Sequence, residues 1–228
     1  MRTPLNAVIG YSEMLEEDLA DMGADPQRAD AAHIRAAGKH LLALINDILQ
    51  LSQQEADAPL LERAEIDLAA LLTEIEAMAR AIAAERGNRF VLEAPTLAPA
   101  TLDRIKLKDC LLKLISNAGK LTKDGVIVLR VWTETDRIMF EVIDTGIGMA
   151  SGTRAKLFEA FAQSDGSLTR KYDGAGLGLA VARKNARLMG GDISVESELG
   201  RGSDFTLWLP LKSHRSEILT QSHQYAGV

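Results

Sequence analysis

The sequence has one cysteine in 228 residues, so no internal disulfide can form. Cys110 sits in the apolar run CLLKLI and reads as a small buried side chain. No run of about twenty apolar residues occurs, which excludes an ordinary membrane-spanning helix from this segment. The start, MRTPL, lacks the basic-then-apolar pattern of a secretory leader. A cytoplasmic location is therefore expected for this segment, whatever anchor a longer parent carries. Basic residues are outnumbered, 26 against 32 acidic, for a formal charge of -6, and no basic stripe is visible. Affinity built on neutralising nucleic-acid phosphates is excluded on that ground. The remaining composition, 46% apolar and 25% charged, is that of a folded soluble chain, and its length suits two unequal domains.

Leu5, Val8, Leu15 and Leu19, with Ser12 completing steps of three and four, predict a helix with one seam. Turn residues run from Gly23 to Pro26, and a second helix is expected from about Asp30, with Ile34, Leu41, Ile45 and Ile48 on one stripe. Leu42, Leu44, Leu49 and Leu51 widen that stripe beyond what two helices can bury. A homodimer through residues 1–58, closing a four-helix bundle, is the expected solution. A linker is expected over 59–65 and a second domain over 66–212. Its elements are a helix from Ile66 to Glu85 ended by Gly87, the strand RFVLEA, and a helix from Leu102 to Leu121. The strands VIVLRVW and IMFEVID follow, turning near Thr135 and Asp136. A helix from Leu177 to Met189 and the strands DISVES and SDFTLWLP close it, leaving residues 213–228 as a polar tail. The fold class is α+β, a helical hairpin followed by a two-layer α/β sandwich.

Residues 146–176 are rich in Gly, Ser, Asp and charge, and too long for an ordinary connection, so they read as a functional lid. Three glycine clusters accompany them: DTGIGM, DGAGLGL and GRGSDF. GAGLGL lacks the spacing and the preceding strand of a dinucleotide fingerprint. It does place the amides of Gly174, Gly176 and Gly178 before a helix, where a phosphate group binds. In DTGIGM, Asp144 ends an apolar strand and needs a donor, while Gly146 and Gly148 let a flat ligand approach the backbone. An adenine amino group fits that description, although a turn-forming acid is the plainer alternative.

SNAGKLT, DTGIGM, LFEAFAQSD, GAGLGLAVARK and GRGSDF stand in the order and approximate spacing of the N, G1, F, G2 and G3 boxes of the histidine kinase catalytic domain. RTPLNAVIGYSEML resembles the continuation of the same family's phosphoacceptor helix, written HExRTPLN. The chain thus resembles sensor histidine kinases, within the wider GHKL group of ATP-binding proteins. That resemblance implies ATP as substrate and Mg2+ as cofactor, with Asn117 as the metal ligand and Lys120, one turn later, meeting the phosphates. It implies that Asp144, Gly146 and Gly148 hold the base, and that Gly174, Gly176, Gly178 and the loop leading into Leu177 hold the phosphates. Arg170 and Lys171 fall in the lid, within reach of the terminal phosphate, and Phe158 and Phe161 resemble the aromatics that pack the lid on the domain. The partner implied beyond a second copy is a response-regulator receiver domain, whose aspartate takes the phosphoryl group from the histidine.

The sequence also departs from the family. Counting back from Arg2-Thr3-Pro4, the accepting histidine falls two residues before Met1, together with its acidic neighbour, so autophosphorylation of this chain alone is not expected. His33, His40, His214 and His223 do not match that position. Thr3 matches the residue that positions water for dephosphorylating the regulator, and Thr3-Pro4 is equally an ordinary helix cap and first-turn pair. In the N box, Lys113 stands where the family usually has a second asparagine, Leu121 replaces an aromatic, and Gly119 weakens the helix. Protonated lysine cannot ligate a metal. Either Lys113 turns outward, or it puts charge beside the phosphates and lessens the need for Mg2+. A nucleotide-binding pseudokinase or regulator-docking module is the alternative function. A GHKL ATPase of the topoisomerase or mismatch-repair kind lacks its glutamate base here.

Overall fold

The computed structural model describes residues 2–52, 61–150, 152, 157–159 and 176–211. The chain divides into two compact units, Met1–Ala58 and Pro59–Val228. In the first unit, helices α1 (Arg2–Asp21) and α2 (Asp25–Ser52) form an antiparallel hairpin. Gly38 lies under Ile9, where a Cβ would come within 2.9 Å of Ile9 Cγ1, so the helices approach closely at that level. Ser12 is buried and returns its hydroxyl to the Val8 carbonyl at 2.8 Å. Glu13 and Glu16 of α1 pair with Lys39 and Arg35 of α2 at 2.8 and 2.6 Å. The second helix starts at Asp25 and not near Asp30: a proline in the first turn needs no donor partner, and an acid there favours the helix dipole. Val8, Leu15, Ile34, Leu41 and Ile48 remain 44 to 52% exposed, an apolar stripe that the hairpin does not cover by itself.

The second unit begins with strand β1 (Arg63–Ile66), then α3 (Leu68–Ala84), β2 (Arg89–Glu93), β3 (Ala100–Asp103) and α4 (Arg104–Leu121). It continues with β4 (Val126–Glu134), β5 (Arg137–Asp144), α5 (Gly178–Leu188), β6 (Asp192–Glu198) and β7 (Gly202–Pro210). β2, β4, β5, β7 and β6 form one sheet in that spatial order, with β2 parallel to β4 and the other neighbours antiparallel. β1 and β3 pair separately, Arg63 opposite Asp103 and Ile66 opposite Ala100. These two strands correct the expected linker over 59–65 and the helix starts at Ile66 and Leu102. Asp67 and Asp103 accept the Ala70 and Lys106 amides, so each helix begins one residue after its capping acid and the apolar residue before it is left in a strand.

One face of the main sheet and the inner stripes of α3, α4 and α5 make the core. Leu71, Ile75, Leu107, Leu111, Leu114, Ile127, Leu129, Phe140 and Phe205 are fully buried. Each such side chain contributes about 1.5–3 kcal/mol by leaving water. Cys110 is buried, its thiol against the Ala182 carbonyl, and burial pushes its pKa above the cysteine range. Asp103, buried at the foot of α4, is opposed by desolvation. The Lys106 amide and ammonium and the Glu62 amide nevertheless hold its carboxyl below the usual range. Among the described residues no helix is long and apolar enough to cross a membrane.

The outer face of the sheet sets Asp204 of β7 opposite Glu196 of β6 and near Glu141 of β5. Partial burial first, then Glu141 and Glu196, push its carboxyl up to about 6, against the pull of Arg130. A raised folded value means that ionisation costs stability. The penalty is absent below the ordinary carboxylate range, sets in as pH rises through it, and is complete above about 6. Asp204→Asn is expected to raise stability at pH 7 by about 1 kcal/mol after allowing for solvent screening, with the gain gone near pH 4. Urea unfolding at the two pH values checks this.

Candidate nucleotide site

Inward side chains alternate along β5 as Ile138, Phe140, Val142 and Asp144. Period two therefore carries a carboxylate onto the core face at the strand's last position, and Asp144 is 2% exposed. One oxygen, Oδ1, accepts the Gly146 N–H at 2.8 Å and a longer bond from the Thr122 hydroxyl at 3.4 Å. The other, Oδ2, is buried with no hydrogen-bond partner among the described residues. Burial pushes the carboxyl above its ordinary value, against the Gly146 amide, the Thr122 hydroxyl and the polar groups of Ser203. A buried acceptor without a donor is costly, and it suits a ligand N–H brought to it.

The loop after Asp144 is tied down on two sides. The Ile147 amide donates to the Leu121 carbonyl at the end of α4, and the Gly200 amide donates to the Ile147 carbonyl at 2.7 Å. The Met149 amide bonds the Ser197 hydroxyl, which in turn donates to the Gly202 carbonyl. Two glycines make this crossing possible. Gly148 has φ of 61°, and a Cβ there would stand 2.0 Å from the Glu198 carbonyl oxygen; Gly202 has φ of 94°, and its Cβ would stand 1.8 Å from that of Asp144. Thr122 is held in turn by Asn88, whose amide donates to the Thr122 carbonyl at 3.0 Å and accepts from the Gly125 amide at 3.0 Å.

α4 carries the next residues. Asn117, half-buried, and Lys120, exposed, lie three apart and share a face in its last two turns, just ahead of Leu121 and Thr122. Arg86 donates to the Lys120 carbonyl, closing the helix end. α5 packs on α4 through the Asp109–Asn185 and Cys110–Ala182 contacts and runs in the opposite direction, since Arg63, paired with the Asp103 that caps the start of α4, donates to the Met189 carbonyl at the end of α5. Leu177, buried, occupies the cap position of α5 without a side-chain cap bond, so the first amides of the helix, from Gly178 onward, receive no side-chain cap from it. At Gly178 an added Cβ would meet nothing within 4 Å among the described residues. Gly176 stands half-buried just before it. Phe158 is half-buried against the core, with the Arg183 guanidinium 4.6 Å from its ring centre.

Asp144, Gly146 and Gly148 are thus brought together at the end of α4, and Asn117 and Lys120 stand on that same helix. Phe161, Arg170, Lys171 and Gly174 lie outside the described residues. Thr3 belongs to the hairpin unit, exposed and one residue inside α1, so it does not cap that helix. Thr122 and Ser203, which help hold Asp144, received no role from the sequence, although each ends or sits within a quoted motif, SNAGKLT and GRGSDF. Among the described residues no cluster of three or more His, Cys, Asp or Glu could hold a metal by itself. An amide oxygen from Asn117 joined to phosphate oxygens is the donor set that a hard cation prefers.

Residues 1–57 match the His Kinase A (phospho-acceptor) domain, and residues 102–213 match the Histidine kinase-, DNA gyrase B-, and HSP90-like ATPase family. The chain is 40% identical over 214 residues to the circadian input-output histidine kinase CikA of Synechococcus elongatus, covering 92% of this chain and 28% of that protein. It is 35% identical over 224 residues to the aerobic respiration control sensor protein ArcB of Escherichia coli, covering 96% and 28%. A solved structure of full-length ShkA in complex with AMPPNP superposes with a TM-score of 0.75 at 34% identity, over 93% of this chain and 44% of that one. The chain spans little more than a quarter of the length of the curated relatives it matches. With phospho-acceptor and ATPase matches in one chain, and relatives aligned along nearly all of it, the chain belongs to the sensor histidine kinase family.

Proposed function

We propose that this chain binds ATP with its second unit and delivers the terminal phosphoryl group to a histidine on the family's acceptor helix, from which it passes to the aspartate of a response-regulator receiver domain. The single observation that carries this reading is the buried Oδ2 of Asp144, without a donor among the described residues, beside the loop of Gly146 and Gly148. The adenine amino group supplies the missing N–H. Gly146 and Gly148 admit the flat base, and the amides that begin α5 donate to the phosphate tail. Asn117 offers its amide oxygen to Mg2+, and Lys120 its ammonium to the phosphates. When bound, Mg2+ would supply neutralisation of the phosphate charge, with the Asn117 amide oxygen as its protein ligand.

In the transfer the bond between the γ-phosphorus and the β–γ bridging oxygen breaks as a phosphorus–nitrogen bond to the imidazole forms, and the imidazole proton leaves to the acceptor helix's neighbouring acid. ADP departs. Catalysis in this unit is positioning and charge neutralisation, since no covalent bond forms to its own residues. The uncovered stripe of Val8, Leu15, Ile34, Leu41 and Ile48 supports a homodimer in which a second hairpin covers it and four helices share one core.

Asp144→Asn replaces the orphan acceptor by a donor. ADP affinity is expected to fall by about a hundredfold by isothermal titration, the cost of losing a hydrogen bond to a charged group and facing donor with donor. The ligand-free variant is expected to be at least as stable as its parent at pH 7. Its advantage grows as pH rises above the ordinary aspartate value, because the raised folded value makes ionisation of Asp144 unfavourable to folding. Transfer is tested by mixing the chain with a copy extended by the family's His-Glu pair and carrying Asp144→Asn. Acid-labile label from [γ-32P]ATP on the extended copy supports the reading; bound nucleotide with no label on it argues for binding without chemistry.

A further inference from the structure

The Lys113 side chain is only 19% exposed, so it is not a solvated surface lysine. It lies on the stripe of α4 that continues through Asn117 and Lys120, at helical steps of four and three. Its ammonium stands 3.7 Å from Asp109 Oδ1, at the long end of an ion pair. Asp109 is fixed from the other side by Asn185 of α5, 8% exposed, which donates to Oδ2 at 2.9 Å. The bridge spans two helices: Asn185 steadies Asp109, and Asp109 steadies Lys113.

Because α4 and α5 run in opposite directions, moving from Asp109 to Lys113 means moving toward the first turn of α5. At about 1.5 Å per residue that step is roughly 6 Å, while Asn185 lies about 10 Å from Gly178. The four-carbon stem of the lysine covers what remains. Turned from Asp109 toward that first turn, the ammonium comes within reach of the opening amides of α5 and of the face of Asn117. The positive end of the α5 dipole, Lys120 and Lys113 each attract a polyphosphate placed on this side of α4.

Resting on the nucleotide-binding reading above, we propose that Lys113 is a phosphate-binding residue that takes over part of the charge neutralisation usually left to Mg2+, in a position where related N boxes carry an asparagine. The ammonium cannot ligate the metal, so it acts on the phosphates directly. Nucleotide affinity in this chain then depends only weakly on the divalent cation.

Isothermal titration of the full chain with ADP, once in excess MgCl2 and once in EDTA, tests this. In the parent the dissociation constant is expected to rise less than about fivefold when Mg2+ is removed, and in Lys113→Asn by about fiftyfold or more. Lys113→Arg, which keeps the charge, is expected to retain the parent's weak dependence, and thermal melts of the variants confirm that they are folded. Equal dependence on Mg2+ in the parent and Lys113→Asn overturns the role of the lysine while leaving the nucleotide site standing. A parent that binds ADP in neither buffer overturns both.

Discussion

A carboxylate held inside a protein core with half of its hydrogen-bonding capacity unmet is the constraint from which the rest of this domain follows. Asp144 stands at a register position that belongs to Ile138, Phe140 and Val142, and burial opposes its charge. The fold tolerates it by surrounding Oδ1 with an amide and a hydroxyl, while Oδ2 has no partner among the described residues. Gly202 lets the turn between β6 and β7 press against the carbonyl of Asp144, and Gly148 lets the following loop press against Glu198. Close backbone packing on both sides shuts water away from the carboxylate, which makes a correctly placed N–H worth more than it is in solvent.

α4 links this end of the site to the other. Its last turn touches the Asp144 loop through Leu121 and Thr122, Lys113 and Asn117 follow one another along its second half, and its first half is braced by α5 through Asp109 and Cys110. One packed helix thus fixes the spacing between the Asp144 loop and the side chains of Lys113 and Asn117. The inner stripe of α4, Leu107, Leu111, Leu114 and Ile115, is fully buried, so the residues on its outer stripe are held by a rigid element and not by a loop.

Much of this was legible in the sequence because it rests on period and punctuation. The alternation in VIVLRVW and IMFEVID placed the central hairpin, and the ordered glycine motifs placed the loops around Asp144. The pairing of β1 with β3 was not legible. Four-residue strands carry too little alternation, and Ile66 and Leu102 look like the first apolar residues of the helices that follow them until Asp67 and Asp103 are seen to cap. The start of α2 was missed because Asp25 and Pro26 serve both turns and first helical turns. Thr122, Asn88 and Ser203 carry no signal in the sequence, because their contribution is to hold another group, a role that spacing along the chain does not reveal. Lys113 was visible as a departure from the family pattern, but the sequence left its direction open, and only the bridge to Asn185 through Asp109 gives it one.

The claim on which the account depends is that Oδ2 of Asp144 recognises an exocyclic amino group. Inosine diphosphate, which differs from ADP by a carbonyl oxygen in place of that amino group and by the proton on the adjacent ring nitrogen, isolates it. Competition of each nucleotide against a fluorescent ATP analogue is predicted to show ADP binding at least about tenfold to a hundredfold more tightly, the discrimination expected when a buried acceptor meets an acceptor instead of a donor. Equal affinity for the two would contradict the account.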